Sequence, residues 1–183
     1  LKGLDGKLSP GEYAAVAACF HRTGEIRVSP ELPHHQPGGI PVCLVGGPVA
    51  EKHLRLFDVV EKSGGYIVLD GTETGERTLP RPFNRRRMRQ EPLIELTDAY
   101  GGSIPAVFHR PNNKLYQWFR KEIKARDVRG VFFIRNVWCD LWHGEMERMR
   151  SWLNIPLLAL DLDDDPLGMR DITRIEAFLE ILS

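Results

Sequence analysis

A net charge, paired cysteines and a long apolar run are all missing from this chain, and each absence removes a class of function. The 25 Lys and Arg residues balance 25 Asp and Glu, so no global field draws the protein to nucleic acid or to an anionic membrane. Its three cysteines, Cys19, Cys43 and Cys139, are odd in number and far apart, with no CxxC pair. A disulfide framework is therefore not expected, and a reducing, cytoplasmic setting is. No apolar run approaches the ~20 residues that span a bilayer, and no signal segment opens the chain. The first residue is Leu1 rather than Met, which leads us to expect a fragment of something longer.

What is present is a core. Hydrophobic residues make up 42% of the 183, enough to fold one domain of ordinary size. Ser9-Pro10 reads as a cap and first turn, after which Tyr13, Val16, Ala17 and Phe20 fall on one helical face. Residues 23–39 are rich in Pro and Gly and read as a linker, so that 1–39 is an N-terminal helix and linker and 40–183 an α/β domain.

Four short apolar runs, Ile40–Val45, Tyr66–Leu69, Gly130–Ile134 and Leu157–Leu160, read as strands. They alternate with helical periodicity over 48–63, 112–127 and 142–153, and a last helix carries Ile172, Ile175, Leu179 and Leu182. Continuous apolar strands are what a parallel sheet covered on both faces requires. Right-handed crossovers then give a doubly wound, mainly parallel four-stranded sheet of the flavodoxin or Rossmann kind, in the order 2-1-3-4. Residues 70–111 form a long irregular excursion containing Arg81, Arg85, Arg86, Arg87 and Arg89.

Ligands of such sheets bind at the carboxyl ends of the strands where the order reverses. Here that places Gly46 and Gly47 opposite Asn136, Trp138 and Cys139, with His143 one helical turn further on. A thiol at a helix N-terminus tends toward thiolate, the form that a soft metal or an iron–sulfur cluster requires. An inert packed loop residue is the other reading of Cys139. Gly46-Gly47-Pro48 opens the next helix without a Gly-Lys-Ser/Thr ending or a GxGxxG pattern, so neither a nucleotide loop nor a dinucleotide fingerprint is present. Cys19 and Cys43 read as core residues. The run Asp161, Asp163, Asp164 and Asp165 reads as a solvated, capping loop rather than a Mg²⁺ site, since no acids follow the first strand. The arginine cluster could hold phosphates bidentately or meet an acidic subunit.

WCDLWHGEMERMRSWLNIPLLALDLD, followed by RDITRIEAFLEIL, resembles the end of the D-component family of 2-hydroxyacyl-CoA dehydratases and benzoyl-CoA reductases. The elements that carry this are Cys139-Asp140, Glu145, Asn154-Ile155-Pro156, Asp161 and Asp163, and Arg174-Ile175-Glu176-Ala177-Phe178, with VCLVGGPV and GGYIVLDGTETGER as the first two strands of that half.

The resemblance implies an anaerobic radical enzyme. A 4Fe-4S cluster sits between two α/β halves, an ATP-dependent activator delivers one electron to a CoA thioester, and a homologous second subunit is paired. Cys139 would match the cluster ligand of the C-terminal half, with the other ligands upstream of this chain and the isolated chain inactive. Gly46, Gly47, Asn136, Trp138 and His143 would line the pocket, and Arg85, Arg86 and Arg87 could meet the CoA phosphates. Two positions depart from the family pattern: Glu73 stands where a cysteine is often found, and Ile104-Pro105-Ala106-Val107 replaces a stretch that tends to carry cysteines. Trp138, Trp142 and Glu145 around Cys139 lean toward the reductase branch. A non-catalytic α/β binding or assembly module of the same descent is the alternative.

Overall fold

The structure is a computed structural model that describes residues 8–28, 38–102, 104–163 and 166–183. Four parallel strands form one sheet: β1 (Ile40–Gly46), β2 (Gly65–Gly71), β3 (Gly130–Asn136) and β4 (Leu157–Leu162), in the order β2-β1-β3-β4. Both the parallel pairing and the order agree with the sequence expectation. Strand β1 lies between β2 and β3, with Ile40 opposite Gly65 on one side and Val42 opposite Gly130 on the other.

Side chains alternate between the two faces of a strand, so each apolar strand feeds two cores. Val42, Leu44, Phe132, Ile134 and Leu160 point to one face. There they meet α1 (Pro10–Thr23), α2 (Arg55–Lys62) and α7 (Met169–Leu182). Cys43, Val45, Val131, Phe133 and Ala159 point to the other and meet α5 (Asn113–Ala125) and α6 (Asp140–Trp152). Each large side chain taken fully out of water, such as Phe132 or Phe133, contributes about 2–3 kcal/mol.

Helix α1 begins as the sequence indicates. The Ser9 hydroxyl accepts from the Glu12 N–H while the Glu12 carboxylate accepts from the Ser9 N–H, and Gly24 ends the helix in the left-handed region. The linker expected over 23–39 falls largely on 29–37, outside the described residues.

Two expectations are corrected. No helix starts at Gly47: the chain bends there, Ala50 is extended, and a single 3-10 turn at Glu51–His53 precedes α2, with the Val49 N–H held by Thr74. The excursion is also more ordered than its composition suggests. It contains α3 (Arg85–Gln90) and α4 (Pro92–Thr97), joined by Glu95, whose buried carboxylate accepts from Arg81 and from the Asn84 N–H at 2.7 Å each.

Candidate functional site at the carboxyl ends of the strands

Strands β1 and β3 come close enough at their carboxyl ends that only glycine fits at the end of β1. Gly46 has φ +134°, and a Cβ there would lie 1.9 Å from the Ile134 carbonyl oxygen. Gly47 then donates its N–H to the same oxygen at 3.0 Å. A Cβ on Gly47 would meet Asn136 Oδ1 at 3.4 Å and the Trp142 ring at 3.5 Å. The two glycines, Asn136 and Trp142 thus share one wall, as the sequence indicated for all but Trp142.

Beyond β3 the chain turns sharply. The Val137 N–H reaches the Leu162 carbonyl at the end of β4, and the Cys139 N–H returns to the Asn136 carbonyl at 2.9 Å. Cys139 is the residue that caps α6, and its carbonyl accepts from the His143 N–H at 3.0 Å. Its thiol makes no capping hydrogen bond and is partly exposed, so the sulfur is not consumed by the helix it begins. Two side-chain atoms nearby, Asn136 Oδ1 and His143 Nε2, are buried without a hydrogen-bond partner. Trp138 is 92% exposed and would line a pocket only against a second surface. Cys43, in the middle of β1, is fully buried, and desolvation pushes its thiol far up from its ordinary range.

The loop after β2 closes over the same place, and the sequence reading did not give it that role. Glu73 Oε1 accepts from the Trp142 indole N–H at 2.8 Å. Thr74 Oγ1 accepts from the Val49 N–H at 3.0 Å and so ties the loop to residues 47–50. Arg77 is buried, donates to the Gly71 and Pro105 carbonyls, and lies 5.5 Å over the Trp142 ring with Glu73 at 4.0 Å. Burial pushes its guanidinium down to about 10, against the pull of Glu73 and Asp70. The one early signal was Glu73 itself, which the family resemblance sets against a cysteine often found there.

A second buried carboxylate anchors α6 from behind. Glu145 accepts from the Tyr116 hydroxyl at 2.5 Å and from Arg110 at 2.7 Å, with Arg148 at 3.9 Å. Burial alone would raise its pKa, but the Tyr116 and Arg110 hydrogen bonds hold it below the ordinary carboxylate range. The arginines named for phosphate binding divide. Arg87 is bound to Asp98 at 2.7 Å and to Glu95 at 3.3 Å, whereas Arg85 and Arg86 are exposed. Asp161 pairs with Arg135 at 2.7 Å, while Asp164 and Asp165 lie outside the described residues.

Among the described residues no group of three or more His, Cys, Asp or Glu is arranged to hold a metal ion. Among the described residues at this mouth, the Cys139 thiol is the donor that would suit one corner of an iron–sulfur cluster. No helix among them is long and apolar enough to cross a membrane.

Fold and crevice together define a doubly wound α/β protein with a free thiol where the strand order reverses. The sequence model of the 2-hydroxyglutaryl-CoA dehydratase D-component family matches residues 13–182, and the chain belongs to that family. The family works on CoA thioesters with a partner component and is generally associated with iron–sulfur clusters. No curated protein matches the chain.

Proposed function

We propose that this chain is the C-terminal α/β half of a radical-type CoA-thioester enzyme subunit, with Cys139 holding one iron of a 4Fe-4S cluster. The observation that supports it best is the Cys139 thiol itself: partly exposed, unused by its own helix and seated at the reversal of the strand order. The remaining cluster ligands would lie outside the described residues. When bound, such a cluster would pass single electrons to a CoA thioester, for loss of water or reduction of a ring. The chain's own residues would do the rest.

Gly46 would let β1 and β3 close together at the mouth, and Gly47 would pack beside Asn136 and Trp142. Asn136 Oδ1 and His143 Nε2, both lacking a partner, would turn toward groups bound at the thiol. Trp138, pressed against an opposing surface, would keep water from the reacting atoms. An ATP-dependent activator and a homologous subunit are the partners this reading requires, and Arg85 and Arg86, exposed in the excursion, are the arginines free to meet CoA phosphates.

The test is Cys139→Ser in the protein held in its native assembly and prepared anaerobically. Iron content and visible absorbance should fall, and full retention of both would overturn the ligand assignment. A second reading, a non-catalytic binding or assembly module, draws on Glu73: it occupies a family cysteine position and its carboxylate is engaged by Trp142. An assembly that carries no iron with Cys139 intact would favour that reading.

A further inference from the structure

Helices α5 and α6 pack on the same face of the sheet, and aromatic rings and guanidiniums line the groove between them. Tyr116 and Trp152 meet edge to face with ring centroids 5.1 Å apart. A guanidinium lies over each ring: Arg148 at 4.3 Å from the Tyr116 centroid and Arg120 at 5.2 Å from that of Trp152. An aromatic face holds an arginine in place without occupying its N–H edge, which is the edge that grips an oxyanion.

The charge is left over as well. Arg120 and Lys124 make no hydrogen bond or ion pair with the described residues. Arg148 donates to Asn112 at 2.6 Å and lies 3.9 Å from Glu145, but that carboxylate already serves Arg110 at 2.7 Å. Glu122, the one acid on α5, is taken by Arg126 at 3.3 Å. Two adjoining hollows of about 190 and 300 Å³ share Arg120 and Trp152, and no carboxylate lines either.

We propose that this groove binds the phosphates of a small diphosphate-bearing molecule, with Arg120 and Arg148 gripping the oxygens and Lys124 completing the charge. Two forked guanidiniums and one ammonium match a polyanion bearing several oxygens, and arginine forks bind phosphate bidentately. The groove stands apart from the Cys139 crevice. Trp152 ends the helix that Cys139 begins, about 20 Å away along its axis. The proposal therefore does not rest on the cluster reading.

Titration calorimetry of the full chain at low ionic strength, with inorganic pyrophosphate and with ADP, tests it. Pyrophosphate should bind, and Arg120→Gln should weaken binding about tenfold, one lost charge-assisted contact being worth that much. Arg120 is exposed, so its replacement should leave the thermal midpoint unchanged, and Arg22→Gln, at an exposed arginine of α1, serves as a control that should bind normally. Equal affinity for the two probes identifies the diphosphate alone as the ligand. Tighter binding of ADP adds a base on the aromatic wall, and both results support the groove. Absence of pyrophosphate binding, equal affinity in Arg120→Gln, or tighter binding of a poly-glutamate peptide overturns it, the last in favour of an acidic protein partner.

Discussion

Cys139 and Cys43 are both free thiols, and their surroundings give them opposite chemistry. Cys139 caps a helix and is partly exposed, whereas Cys43 is sealed within β1 between the two neighbouring strands. Only a thiolate attacks an alkylating reagent, so a thiol whose ionisation is suppressed by burial and which no reagent can reach stays silent. Iodoacetamide on the native protein should label Cys139 and leave Cys43 unlabelled until the chain is unfolded, as peptide mass spectrometry would report. Early labelling of Cys43 would mean that the centre of the sheet opens without global unfolding. At the same scale, Glu73 serves two buried groups at once. Its carboxylate takes up the buried Trp142 indole N–H and faces the buried Arg77 guanidinium, two groups that would otherwise lie buried with one partner fewer.

Among the elements, β1 and α6 decide where the crevice lies. The close approach of β1 to β3 makes Gly46 irreplaceable, while Gly47 only packs beside Asn136 and Trp142. Gly46→Ala should therefore lower stability by roughly 3 kcal/mol or abolish folding. Gly47→Ala should change it by about 1 kcal/mol or less. Urea unfolding of the two variants makes the comparison, and similar midpoints would contradict the close approach. Helix α6 has its own anchor in Glu145, which binds it to α5 through Tyr116 and to the end of the excursion through Arg110. Helical periodicity did not reveal this anchor, because Glu145 falls among apolar neighbours and only the folded chain brings Tyr116, 29 residues away in sequence, to its oxygen.

For the whole molecule these local charges become a dependence of stability on pH. Glu145 has a folded pKa below its reference value of 4.5, so its contribution is present above that pH and is lost as pH falls through the folded value. Asp70 runs the other way. Burial raises it above its reference of 3.8, so it favours the folded state in acid and that contribution is lost as pH rises. Cys43 acts at the alkaline end. Above its reference of 9.0 the unfolded chain loses a proton that the folded one keeps, and stability falls as pH rises. Tyr116→Phe should cost about 2 kcal/mol at neutral pH by removing a hydrogen bond to a charged group. The gap to the native protein should narrow as pH falls below the reference value of 4.5 and Glu145 protonates in both. A gap that stayed constant over that range, measured by urea unfolding, would show that the Tyr116 contact does not hold the carboxylate ionised.

The sheet and its order were legible from the sequence alone, because four apolar runs and right-handed crossovers admit few arrangements, and the order placed Gly46, Gly47, Asn136 and Cys139 at one mouth. Tertiary structure decided what closes that mouth. The Glu73–Trp142 and Glu145 contacts join residues 29 to 69 apart through atoms with no sequence periodicity of their own. The arginines divided for the same reason: their shared composition could not distinguish Arg87, bound by Glu95 and Asp98, from the exposed Arg85 and Arg86. A strand declares itself by the surface it must bury, whereas a polar contact depends on which distant partner the packed helices bring within about 3 Å.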